Sequence, residues 1–423
     1  MRNISDNSQL KENKNHTSIV ADTYFGFLKK AEDYFQQKVY DKAIYSYKKT
    51  IEINPSFPDA YFNLAIVYTK TNQIEDAIET LERVIHLCPS DASVYNNLGV
   101  LYFKKKGYLD AKTYFEIALL LNDTYKEADE NIEKVGKILE ETSHAKKNNQ
   151  ILGLIFSKDR AMQLDGTLGS FSMHCKDTIS IDLKVIYKTS HAVLERQYED
   201  LKTDYDNVEF IREENFKEQV LSLIRKYTFV LFLVDDNIFL KSFYISDLTN
   251  SLNENTNAIG FSLRLGENTV YCYSLHSLQK SPTFTHITND ILKYDWTSAE
   301  LDFGYPLEVS SSLYRVKEIY PLLVQINFSN PNTLENQMAA NKHIYTKTRP
   351  ILLCSKLSLT FCAPLNMVQD VCNNRAGNEN CYSSEMLANK FGEGYRIDVE
   401  KYIGFIPNAC HQEVPLDFIN SKQ

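Results

Sequence analysis

Apolar and small residues recur along the first third of the chain at a spacing of 34. Tyr34, Tyr68 and Tyr102 keep that interval, as do Phe27, Tyr61 and Tyr95, and Tyr47, Leu81 and Phe115. Ala31, Ala65 and Gly99, and again Ala43, Ala77 and Ala111, add two series of small residues at the same interval. A fixed period of this length marks stacked supersecondary units, each burying its apolar face on the next. Each unit is predicted to be two antiparallel helices that touch at the small residues, with the large ones filling the gaps between neighbours. Pro55 and Pro89 end the second helix of a unit, because proline cannot continue a helix. The units run Tyr24–Phe57, Pro58–Asp91 and Ala92–Tyr125, and Asp123, standing where proline is expected, marks the last. Ala128, Ile132, Val135 and Leu139 then predict an amphipathic helix over Lys126–Glu141 that caps the stack with its charged face.

The polar stretch Thr142–Gln150 closes this region, and beyond it the period is gone. Ile151–Phe156, Ile181–Tyr187, Val208–Ile211 and Phe229–Val234 read as strands, alternating with helical stretches over Leu164–His174 and Phe216–Tyr227. Such alternation predicts a parallel, doubly wound sheet, in which ligands sit beyond the carboxyl ends of the strands. The division expected is a polar tail over 1–21, helical repeats with their cap over 22–143, a linker over 144–150 and an α/β domain over 151–423.

Composition narrows the picture. Apolar residues are 43% and charged residues 24% of 423, ordinary for a globular chain. The longest strongly apolar run, Phe229–Val234, is far short of the ~20 residues of a membrane helix, and the polar N-terminus has no secretory apolar core. A cytoplasmic location is the expectation. A net charge of −9 argues against nucleic-acid binding. The eight cysteines show no CxxC spacing, so buried reduced thiols are expected rather than a zinc ribbon.

The strongest chemical signal is Asp235-Asp236, directly after six apolar residues. Two carboxylates there are costly without a cation, and a divalent metal that also holds phosphates would supply one. Ser157-Lys158-Asp159-Arg160 follows the first strand in the same way, and Arg160 is suited to a phosphate. Further candidates are Arg264 in a strand-turn segment, Glu335 in the first turn of a helix after Ser329–Thr333, Asp302, and His411 near the end. Asn366, Gln369 and Arg375 are polar groups without an assigned role. Trp296, the lone tryptophan, is read as core before sugar platform.

Two resemblances follow. The 34-residue period with its small residues resembles the tetratricopeptide repeat (TPR). TPR arrays hold peptides or partners in a concave groove, which implies peptide contacts for Asn63 and Asn97, in one register on the first helices. Phe232–Asn237 and Ile155–Arg160 resemble the aspartate motif and nucleotide loop of GT-A-fold glycosyltransferases, especially those similar to family 2. The fold implied is a TPR α-solenoid followed by a GT-A-like, Rossmann-related α/β domain. The resemblance implies a nucleotide-sugar donor, UDP-linked by preference, contacted by Ser157, Lys158, Asp159, Arg160, Asp235, Asp236 and Arg264. It implies Mn²⁺ or Mg²⁺ on Asp235, Asp236, Asn237 and His411, with Asn237 departing from the usual second acid. Glu335, with Asp302 in reserve, would remove the acceptor proton, and the acceptor would be a protein presented by the repeats. The rival expectation is an interaction scaffold with a degenerate transferase domain. Homo-oligomers are also compatible with TPR surfaces.

Overall fold

The computed structural model describes residues 24–143, 151–366 and 382–420. The chain divides into two compact units, Met1–Lys146 and Lys147–Gln423. In the first, α1 (residues 24–36) pairs with α2 (Tyr40–Ile53), α3 (Pro58–Lys70) with α4 (Ile74–Leu87), and α5 (Ala92–Lys104) with α6 (Tyr108–Leu121). The closing helix α7 runs Lys126–Ser143, two residues longer than its sequence pattern. Ala31, Ala43, Ala65, Ala77 and Ala111 are buried between helices. Gly99 sits so close to its partner helix that a Cβ there would lie 2.5 Å from the Phe115 ring.

Two features repeat with the sequence period. Tyr61 and Tyr95 donate to the carbonyls of Pro55 and Pro89 (3.2 and 3.0 Å), tying each unit to the end of the one before. The turn inside each unit passes through a left-handed residue, Lys38, Asn72 and Lys106, with φ between 60° and 63°. Asparagine tolerates that conformation; lysine adopts it at a steric cost.

The second unit runs β1 (Ile151–Lys158), α8 (Ala161–His174), β2 (Ile181–Lys188), α9 (Ala192–Asp204), β3 (Glu209–Arg212), α10 (Phe216–Ile224), β4 (Phe229–Val234), β5 (Asn237–Phe239), α11 (Ile245–Glu254) and β6 (Ala258–Ser262). It continues through the hairpin of β7 (Tyr271–Cys272) and β8 (Ser277–Leu278), then β9 (Thr285–His286), β10 (Ile291–Asp295), β11 (Ser311–Arg315), α12 (Val316–Gln325), α13 (Pro331–Ala340) and β12 (Ile351–Ser355). It ends with β13 (Thr360–Cys362), α14 (Ser384–Gly392), β14 (Tyr395–Ile397) and β15 (Phe418–Asn420).

The main sheet has the order β3-β2-β1-β4-β11-β6-β12-β10-β9. It is mixed rather than wholly parallel. β1 to β4 are parallel as the alternation predicts, but β11 enters between β4 and β6 antiparallel to both. The reason is local: β11 follows a long irregular stretch rather than a crossover helix, so nothing obliges it to run with its neighbours. Alternate β1 side chains enter opposite cores, Ile151 and Ile155 on the face covered by α8, α9 and α11, Leu152, Leu154 and Phe156 on the face covered by α10, α12 and α13. Trp296 is core, its indole N–H donating to the Arg349 carbonyl at 2.7 Å. The described cysteines are unpaired thiols, all buried except the half-exposed Cys88.

Replacing Gly99 by Ala forces Phe115 or helix α5 to move. The expected loss is about 1–3 kcal/mol, read as a lower midpoint for the repeat unit in thermal unfolding of the full chain; an unchanged midpoint would refute the close approach.

Candidate functional site

β1 and β4 are parallel and in register, with Phe156 beside Val234. The residues after each strand therefore leave the sheet at one edge. Ser157 Oγ donates to Asp235 Oδ2 at 2.9 Å, and the Lys158 N–H reaches the same oxygen at 3.3 Å. An ionised carboxylate only accepts, so the Ser157 proton goes to Asp235. Tyr198 of α9, 2.5 Å from Ser157 Oγ, then gives its own proton to that oxygen. The Arg160 N–H completes the relay by donating to the Tyr198 oxygen at 3.2 Å.

The Arg160 side chain turns back onto the acids. Nη1 lies 3.1 Å from Asp235 Oδ1 and 3.6 Å from Asp236 Oδ2. Nε donates to Asn366 Oδ1 at 3.0 Å, and Nη2 donates to the Asn366 carbonyl. Burial works against the Arg160 charge, but Asp235 and then Asp236 hold the guanidinium above its ordinary range. Burial raises Asp235, and it pushes Asp236 up to about 7, with Arg160 opposing and Asp235 adding to the rise. Asp236 Oδ1 is buried and has no hydrogen-bond partner among the described residues.

Asp159 has a left-handed backbone (φ 57°), and its two oxygens accept from the Ser190 N–H (2.7 Å) and hydroxyl (2.6 Å). It locks the β1 loop to the end of β2 instead of presenting a bare carboxylate to a nucleotide. Asn237 is also spent inside the fold. Its Oδ1 accepts from the Val234 N–H at 2.9 Å, and its amide donates to Cys362 Sγ at 3.4 Å.

A second group gathers around Arg264, two residues beyond β6. Because β11 is antiparallel, its beginning lies at the edge where β4 and β6 end. Arg264 Nη1 donates to Ser310 Oγ at 2.8 Å, and its Nε lies 3.8 Å from Glu308 Oε1 without a hydrogen bond. Burial opposes the Arg264 charge, yet Glu308 above all keeps it protonated. Glu308 accepts from the N–H and hydroxyl of Ser310 (both 2.5 Å), from the Ser311 N–H (3.0 Å) and from the Ser312 hydroxyl. The sequence reading passed over Glu308. The only signal was its place before Ser310-Ser311-Ser312, donors that can fold back on an acid.

Glu335 Oε2 accepts from the Val309 N–H at 3.0 Å; burial raises its pKa and Arg264 opposes the rise. Asp302 Oδ1 accepts from the Cys272 thiol at 3.6 Å, while Oδ2 is buried without a partner among the described residues. Burial raises Asp302 too, with Arg264 again opposing. His411 Nε2 lies 3.5 Å from Arg264 Nη1; burial and then Arg264 push it down to about 3.

Of the four predicted metal ligands, two do not fit. Asn237 has turned its oxygen inward, and His411 faces a guanidinium. Among the described residues no three His, Cys, Asp or Glu side chains are grouped to hold a metal. Asp235 has both oxygens engaged, which leaves Asp236 Oδ1 as the donor suited to a cation whose other ligands come from phosphates and water. In the repeat unit, Asn97 turns its amide to the Ser93 carbonyl of its own helix (2.9 Å), and Asn63 is half-buried on α3 with no side-chain hydrogen bond among the described residues. Asn366 is the other functional position the sequence left unassigned; Gln369 and Arg375 lie outside the described residues.

Two groups give opposite pH signatures. Asp236 keeps its proton to about pH 7 when folded, while the unfolded carboxyl loses it near 4. The unfolded chain therefore binds fewer protons across that window, and stability falls as pH rises from ~4 to ~7. His411 acts the other way: stability falls as pH drops from ~6.5 towards ~3. The melting-temperature advantage of Asp236→Asn over the native chain should grow from pH 4.5 to pH 7.5; a constant difference would contradict a buried Asp236 whose charge Arg160 offsets only in part.

The comparisons with known proteins follow this division. The TPR repeat family matches residues 31–72 and 67–106, and the tetratricopeptide repeat family matches 92–125. The solved structure of the first TPR domain of human RPAP3 is 24% identical, covers 29% of this chain and 98% of that one, and has a TM-score of 0.28. The Sgt2 TPR domain from Aspergillus fumigatus is 22% identical, covering 29% and 82%, with a TM-score of 0.28. The bifunctional glycosyltransferase pgtA of Dictyostelium discoideum is 28% identical over 258 residues, 54% of this chain. The chain spans 33% of that relative's length. This chain thus joins a tetratricopeptide repeat array to a mixed α/β unit that is similar to a glycosyltransferase.

Proposed function

We propose that the α/β unit is a glycosyltransferase of the GT-A type that moves a sugar from a nucleotide-sugar donor to an acceptor hydroxyl. The observation that carries this reading is the linked set Ser157, Arg160, Asp235 and Asp236 at the strand ends, in a unit similar to pgtA. A nucleoside diphosphate sugar would lie across that edge with its phosphates near Arg160. Asp236 would hold a divalent ion, which when bound supplies charge for the leaving diphosphate.

Glu308 is saturated by four donors and serves as scaffold. Glu335 Oε2 is engaged by the Val309 N–H. Asp302 has a buried oxygen without a hydrogen-bond partner among the described residues and, like Glu335, a raised pKa, which suits a group that must take a proton near neutral pH. Asp302 is therefore assigned as proton acceptor for the incoming hydroxyl, with in-line attack inverting the anomeric centre. The Arg264 charge, which opposes the rise of both Asp302 and Glu335, would favour their ionised forms. The repeats would present a polypeptide acceptor, with the Asn63 amide offering a donor and an acceptor to a peptide backbone.

The first test is thermal unfolding with UDP, with and without Mn²⁺. A ligand at ~100 times its Kd adds about 2.7 kcal/mol, on the order of 5–10 °C in a unit of this size. A shift in the native chain that disappears in Asp236→Asn supports the reading. No shift with UDP or any other nucleoside diphosphate sinks it in favour of a scaffold. Once a donor and acceptor are found, Asp302→Asn should lower kcat by about 10²–10⁴ and Glu335→Gln by less than tenfold; the reverse order would transfer the role to Glu335.

A further inference from the structure

The hairpin of β7 and β8 is unlike the rest of this acidic chain. Asp and Glu are 55 of the 423 residues, yet none occurs from Asn268 to Asn289, where Lys280, His276 and His286 are the ionisable cations. The same stretch carries large aliphatic side chains into solvent: Leu278 is 79% exposed, Leu275 65% and Val270 42%. Ile406, 58% exposed, continues the patch. The Asn408 carbonyl accepts from the N–H groups of Val270 (2.9 Å) and Tyr271 (3.0 Å), which brings the 406–408 segment against the hairpin. Single exposed aliphatics are ordinary, but three between Val270 and Leu278, with a fourth on the abutting segment, are a concentration.

The base of the hairpin is rigid. Tyr271 pairs with Leu278, the Gln279 side chain donates to the Thr269 carbonyl at 3.0 Å, and the Tyr273 hydroxyl donates to buried Glu413. The exposed leucines are thus held outward by a fixed frame. The hairpin also reaches the acceptor side of the site. The Cys272 thiol contacts Asp302 Oδ1, and Gln279 Oε1 accepts from the Asp302 N–H at 3.1 Å.

We propose that this hairpin docks the α/β unit on an anionic lipid surface. The shape and the charge both choose this occupant. Two exposed leucines on a two-stranded hairpin outside the main sheet bury little area against a rigid protein face, whereas a bilayer closes around them. A stretch without carboxylates, with Lys280 at its flank, meets phosphate headgroups without repulsion although the whole chain carries −9. The contact is peripheral, since no helix among the described residues is long and apolar enough to cross a membrane. The inference goes beyond the transferase reading and does not depend on it.

The test is co-sedimentation of the full chain with vesicles of phosphatidylcholine containing 30% phosphatidylglycerol, against phosphatidylcholine alone. The native chain should pellet with the anionic vesicles and stay largely in solution with the neutral ones. The double variant Leu275→Asp, Leu278→Asp should lose at least tenfold in partitioning, and Lys280→Glu about fivefold or more, from the ~1 kcal/mol of one basic side chain near such a surface. All three proteins should melt within about 2 °C of one another, since the substituted side chains are exposed. A native chain that ignores anionic vesicles, or a double variant that pellets like the native one, overturns the proposal. So does a native dimer in solution that the double variant converts to a monomer, because the patch then belongs to a second copy.

Discussion

A carboxylate taken out of water keeps its charge only where a cation or a set of N–H and O–H donors faces it. One edge of this sheet carries five such groups, Asp235, Asp236, Asp302, Glu308 and Glu335, against two guanidinium groups, Arg160 and Arg264. Everything else at that edge is arranged around the shortfall. Ser157, Ser310, Ser311 and Ser312 donate to the acids. Asn366 grips Arg160 so that its Nη1 stays on the aspartates. Asp236 and Asp302 each keep one oxygen without a hydrogen-bond partner among the described residues, and burial raises the pKa of both.

The topology explains why those groups meet. The parallel strands β1, β4 and β6 deliver their following residues to one edge, and antiparallel β11 delivers its preceding residues to the same edge. Arg315, at the other end of β11, is carried to the far side, where it donates to the carbonyls of Leu252 and Ala258. Strand direction, more than sequence distance, separates the arginine that faces Glu308 from the one held by backbone carbonyls.

The repeat unit was legible in the sequence almost in full, because its period is written in side chains that must be small or apolar wherever they recur. The left-handed residues Lys38 and Lys106 were not, since lysine carries no local sign of that backbone. In the α/β unit the apolar strands and the acids at the end of β4 were readable, because uninterrupted apolar runs have few alternative placements. The direction of β11 was not, as a strand's pattern is the same in either direction. The fates of Asp159 and His411 depend on partners distant in sequence, Ser190 and Arg264, whereas Asn237 turns its oxygen to the nearby Val234 N–H and its amide to the distant Cys362. Nothing local in the sequence marks the distant pairings, and the same holds for Asn366 with Arg160.

Between β6 and β9 the chain leaves the main sheet to form the β7–β8 hairpin, and it rejoins that sheet through β9 and β10 beside β12. The hairpin pairs with no strand of the main sheet, so it can change length without disturbing that sheet's register. The β1 and β4 loops do not share that freedom, being cross-linked by Arg160, Ser157 and Tyr198. A change of length in the hairpin therefore leaves the ion pairs at the ends of β1 and β4 in place.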